Sequence, residues 1–147
     1  MAEAILRSLL RPSIAGDVRV ISSGTAAQKG APAAPFARQV ARENELILER
    51  FRSRPVSEED VRSADLILVM EPPHRDFIVA MDPASREKVF TLREWAGDVE
   101  EKEEEGIRDP IGLPVETYRE VFRELRVLLT RSLPRIEDLV ASREHQP

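Results

Sequence analysis

Five consecutive apolar residues, Leu66-Ile67-Leu68-Val69-Met70, constrain this chain more than any other stretch. A strand with one face in water alternates apolar and polar side chains. An unbroken run is what a strand covered on both faces requires, and such strands belong to parallel sheets flanked by helices. The neighbouring segments agree. Ser57-Glu58-Glu59-Asp60 fits a capping box and predicts a one- or two-turn helix leading to Asp65. Pro72 and Pro73 suit the first positions of a helix reaching about Met81, and residues 88–92 (KVFTL) read as another strand.

The same alternation extends to both ends. Ile5, Leu6, Leu9 and Leu10 form one helical stripe, stopped by Pro12 and Gly16, with no side chain before it to serve as an N-cap. Residues 18–21 (VRVI) predict a short strand closed by Ser22-Ser23-Gly24-Thr25, and Phe36, Val40 and Ile47 predict a helix over 36–48. From Val115 to about Val140, apolar residues keep a 3.6 period, and Pro134 is expected to kink or split that helix. Trp95 is expected to cover one end of the sheet, and Tyr118 to pack in the core. The expected architecture is a small layered α/β domain over residues 1–141 with a flexible tail at 142–147. Parallel α/β units run strand, helix, strand, so a chain that opens on a helix lacks the strand expected to feed it.

Composition narrows the chemistry. There is no cysteine, which removes disulfides, thiolate metal sites and a cysteine nucleophile from these 147 residues. The net charge is −5, and residues 98–105 (DVEEKEEE) account for it, so the remainder is balanced and offers no basic footprint for nucleic acid. That acidic run reads as a solvated loop. No apolar stretch is long enough to span a membrane and no leader is evident, so the expected location is cytoplasmic. Two distant histidines without paired acids at ligand spacing argue against a zinc or di-metal centre.

Met1-Ala2-Glu3-Ala4, Val20-Ile21-Ser22-Ser23-Gly24-Thr25, Phe51-Arg52-Ser53-Arg54-Pro55, Asp65 through Met70, and Asp109-Pro110 occur in the order found in low-molecular-weight protein-tyrosine phosphatases, which the chain resembles over nearly its whole length. Asp-Pro-Ile-Gly at 109–112 is similar to the bacterial branch that includes protein-arginine phosphatases. The resemblance implies a flavodoxin-like three-layer α/β/α fold with a four-stranded parallel sheet. It also implies hydrolysis of a phosphorylated protein substrate through a phosphocysteine, with no metal and no cofactor. In that family the first, central strand runs into a Cys-x5-Arg loop that precedes Met-Ala-Glu-Ala. The expectation is therefore that the central strand and the loop are missing here, by a misplaced start or a real loss.

By the same resemblance Asp109 is the general acid and base, where an Asp before Pro read alone is a turn residue. Ser22 matches a serine that braces the phosphate loop; with its partner gone it is expected to bond water or backbone. A role as nucleophile is disfavoured because no base lies near it in sequence. His74, in Met-Glu-Pro-Pro-His, resembles the His or Asn position just after the third strand of that fold and, read alone, is a polar residue on a helix's first turn. Arg52 and Arg54 align with a basic segment, but Phe51 replaces its usual histidine, and a solvated arginine pair is the reading from residues alone.

The leading expectation is a phosphatase-like domain inactive as written; the alternative is a noncatalytic binding or regulatory module on the same fold. Without the central strand, two buried strands would present open edges. The expected consequences are poor solubility, a homodimer through those edges, or closure by rearrangement.

Overall fold

The computed structural model describes residues 1–98 and 106–145. Residues 99–105 of the acidic run and 146–147 of the expected tail lie outside the described residues. Along the chain come α1 (Ala2–Leu9), α2 (Pro12–Ala15), α3 (Pro35–Glu43), α4 (Glu58–Ser63), β1 (Ile67–Val69), α5 (Pro72–Met81), a 3-10 segment (Pro83–Lys88), β2 (Val89–Thr91), α6 (Leu92–Trp95) and α7 (Val115–Glu144). The apolar run forms β1, which pairs in parallel with β2 in the register Ile67 to Val89, Leu68 to Phe90 and Val69 to Thr91.

Helices cover both faces of this pair. On one side Ile67 and Val69 join Val61 of α4, Ile78 of α5 and Val89. On the other, Leu66, Leu68 and Phe90 meet Leu10, Trp95 and Ile136, while Leu68 and Met70 also abut the larger cluster of α1, α3 and α7 built around Ile5, Val40 and Phe122. This is the three-layer α/β/α order expected from the run. Ile5 is fully buried, a contribution of about 1.5–3 kcal/mol that ties the first helix to α7 despite the missing N-cap.

Local signals explain most boundaries. Ser57 caps α4 by accepting the Asp60 N–H, and Thr91 with Glu94 completes a capping box at α6. Trp95 lies at the sheet end as expected, 5.0 Å from Phe90 between ring centroids, with the Arg135 guanidinium 4.0 Å above its ring. The long helix α7 passes through Pro134 as one element of 30 residues, not two.

Two expectations are corrected. The helix expected over 36–48 ends at Glu43. Glu45 adopts φ 62°, the Leu46 N–H reaches back to the Ala41 carbonyl and the Glu45 N–H to that of Arg42, a Schellman closure that stops the helix before Ile47. Residues 18–21 are extended but are not a strand of the sheet, whose order is β1–β2 alone among the described residues. Burial alternates from Val18 to Ser23, with Val18 and Val20 turned into the cluster that holds Leu66 and Leu68. Their backbone groups nonetheless bond no other backbone among the described residues. Only at Gly24 does pairing begin, as a parallel bridge to Pro55. A strand needs a ladder partner as well as a pleated, half-buried surface, and this segment has only the second.

Candidate active site

The loop that carries Asp109 is seated at the carboxyl end of β1. In open α/β sheets this is where ligands bind, outside the ends of the strands. Met70, one residue past β1, accepts the Ile107 N–H at 2.9 Å, so the loop before α7 is anchored on the strand end. Gly106 lies so close to that end that a Cβ there would stand 2.7 Å from the Met70 carbonyl oxygen. Beyond the anchor, Asp109 is exposed, and its Oδ1 accepts the Ile111 N–H at 3.1 Å in an Asx turn. Leu113 donates to the Pro110 carbonyl in a turn, and Thr117 donates to that of Pro114, the N-cap of α7, both at 3.0 Å. Gly112 permits this with φ +76°.

His74 sits on the first turn of α5, its N–H bonded to the Glu71 carbonyl and its Nε2 3.7 Å from Glu71 Oε2. It contacts neither Asp109 nor Ser22 by hydrogen bond or ion pair. Ser22, at the end of the extended 18–23 segment, donates to Glu3 in the first turn of α1. The expectation that Ser22 bonds water or backbone is thus corrected. The carboxylate comes from a residue 19 positions earlier, brought in because α1 and the extended segment pack against the same cluster. Glu3 also pairs with Arg7 at 2.9 Å. Met1 is half-buried against the core, and desolvation pulls its amino group below its usual range, with Glu3 acting in the opposite direction.

Arg54 is committed to Asp60, whose carboxyl is held below the usual range by Arg54 and then by Ser57. Arg52 donates to the carbonyls of Glu49 and Phe51, bracing its own turn. Neither forms a free arginine pair at the site. No group of three or more acidic, histidine or cysteine side chains among the described residues is placed to hold a metal ion, and no described helix is long and apolar enough to cross a membrane.

Tyr118 follows the Asp109 loop on the first turn of α7. Tyr118 is 4% exposed, as expected of a packing residue, and its ring meets Phe36 edge-on at 5.8 Å and 70°. Burial, and then the Asp109 charge, push its phenol above the ordinary tyrosine value.

Residues 1–141 match the family described as low molecular weight phosphotyrosine protein phosphatase. The protein-arginine-phosphatase of Bacillus subtilis (strain 168) is 34% identical over 134 residues, which cover 88% of this chain and 82% of its own. Among solved structures, the YwlE arginine phosphatase from Geobacillus stearothermophilus superposes with a TM-score of 0.82 at 29% identity, over 99% of this chain and 88% of that one. A YwlE structure in which serine, phosphorylated, replaces the active-site cysteine superposes with a TM-score of 0.80 at 31% identity, over 92% of this chain and 86% of that one.

Proposed function

The chain belongs to the low molecular weight phosphotyrosine protein phosphatase family, and from that premise we propose that Asp109 is the general acid and base of a phosphoprotein phosphatase site whose nucleophile is not among these 147 residues. The observation that carries the second half is the absence of any cysteine, set beside a relative in which the residue replacing the active-site cysteine carries the phosphate. For the first half, Asp109 is solvent-accessible, anchored through Ile107 to the carboxyl end of β1, and free of ion pairs among the described residues. A group that must give a proton to a leaving oxygen or nitrogen and then take one from water needs such freedom.

In this reading Ser22 and His74 are supporting residues. Ser22, through Glu3, fastens the extended segment to the first turn of α1, and His74 lies on the first turn of α5, the helix that follows β1. The substrate class is a phosphorylated protein, with phosphotyrosine and phosphoarginine both within the reach of this chemistry. The cysteine-free composition also favours a second reading, a noncatalytic module that binds rather than hydrolyses. Two copies would associate through the edges left open on β1 and on residues 18–23.

The test is direct. The 147-residue chain should leave p-nitrophenyl phosphate and phosphoarginine peptides unhydrolysed. Turnover that survives purification and disappears in Asp109→Asn would overturn the claim that the nucleophile lies elsewhere. Retained binding of a phosphopeptide without turnover would support the noncatalytic reading.

A further inference from the structure

We propose that β2 carries a self-complementary edge, and that Arg75 and Glu94 hold it closed against a second copy of this chain. β2 ends the sheet among the described residues. An edge strand offers its unpaired N–H and C=O groups to any extended segment that comes alongside, and short length and charged side chains are the common defences. Here both are present: β2 has three residues, and two charged side chains reach its backbone.

Arg75, on α5, donates through Nη2 to the Val89 carbonyl at 3.3 Å, and Glu94, on α6, accepts the Thr91 N–H through Oε2 at 2.9 Å. Val89 and Thr91 are two residues apart on the strand, so their backbone groups point to the same edge, and because both bond side chains that edge is the one away from β1. The two covers are locked together. Arg75 Nη2 also pairs with Glu94 Oε2, and Nη1 lies 3.1 Å from Oε1. A partly exposed ion pair contributes little by itself, and this one leaves the Arg75 Nε sealed and without a partner among the described residues. Its effect is to occupy the edge.

The occupied groups are the pair that a second copy would use. In a two-fold antiparallel meeting centred on Phe90, Val89 of one copy stands opposite Thr91 of the other, so each Val89 carbonyl accepts the other copy's Thr91 N–H, once on either side of the axis. Val, Phe and Thr are all favoured in strands. Any association through β1 and residues 18–23 uses other edges and is already present in the parent.

The test compares the parent chain with Arg75→Met/Glu94→Ala, which strips both covers; the Thr91 hydroxyl still accepts the residue-94 N–H, so α6 keeps its cap. Arg62→Met/Glu58→Ala, which removes an exposed pair on α4, is the control. Near-ultraviolet ellipticity of Trp95, the sole tryptophan, confirms the fold of each. In sedimentation velocity the Arg75/Glu94 variant should reach twice the parent's mass at equal concentration, reversibly on dilution, while the control stays with the parent. Its Thr91 amide should exchange several-fold more slowly as concentration rises. A folded variant that keeps the parent's mass, or one that associates without protecting Thr91, overturns the inference. Should the double variant not fold, Arg75→Met alone decides by the same two readings.

Discussion

Gly106→Ala tests whether the loop carrying Asp109 is seated on the strand end. A Cβ at this position would lie 2.5 Å from Glu71 Cγ, 2.7 Å from the Met70 carbonyl oxygen and 2.8 Å from Glu71 Cα. Two of those three atoms are backbone or directly on it, so a rotamer change cannot relieve the overlap. Carbon to carbonyl oxygen contacts settle near 3.3 Å, so the loop must retreat by about 0.6 Å. That retreat strains the Ile107 hydrogen bond to Met70, which is 2.9 Å long. Overpacking of this kind costs about 1–3 kcal/mol, and a weakened hydrogen bond adds up to about 1 kcal/mol. For a domain of this size each kcal/mol moves the melting point by roughly 2–4 °C. Gly16 is the internal control. It sits at φ −73° and ψ −24° with nothing within 4 Å of an added Cβ, so Gly16→Ala should stabilise by about 0.5 kcal/mol through the unfolded state. Denaturant unfolding followed by circular dichroism and fluorescence, with coincident transitions, gives both values. Equal stability of the two variants, or an Ile107 amide as protected in Gly106→Ala as in the parent, would refute the account of the anchor.

Two further expectations follow from local geometry. Ser57→Ala removes the side chain that accepts the Asp60 N–H at 3.1 Å and should cost about 1 kcal/mol in thermal unfolding, with the loss concentrated in the amide protection of α4. Glu43 joins α3 to α7 through a bidentate contact with Arg119, 2.7 and 2.9 Å, and hydrogen bonding to Arg119 and then Gln39 lowers its carboxyl to about 2. Because the folded value lies below the unfolded one, this contribution is present above about pH 4.5 and disappears as pH falls towards 2. Melting curves from pH 6 to pH 2.5 should show a smaller acid-induced drop for Glu43→Gln than for the parent.

The elements legible in the sequence are those whose cause is local. The apolar run at 66–70, the Ser57 cap and the prolines at 72 and 73 each act within a few residues, and each produced the element expected of it. Where the cause is distant, the sequence is silent or misleading. Residues 18–21 have the composition of a strand, but pairing depends on a neighbour that no local pattern supplies. The end of α3 turned on a left-handed Glu45, a conformation with no compositional mark when the residue is not glycine or asparagine. At the candidate site, Asp109 is singled out by its motif alone, whereas Glu3 beside Ser22 is a product of chain folding across 19 positions.

The extended segment at 18–23 has a mechanical consequence. Hydrogen-bonded strands move as one plate, because sliding one past another breaks a ladder. Here Val18 and Val20 share a cluster with Leu66 and Leu68 while their backbones remain unjoined, so the side chains of Leu10, Trp95 and Ile136 set their relative position. The helical layer therefore acts as a jig for these two segments, their alignment resting on side-chain packing rather than on a hydrogen-bond ladder.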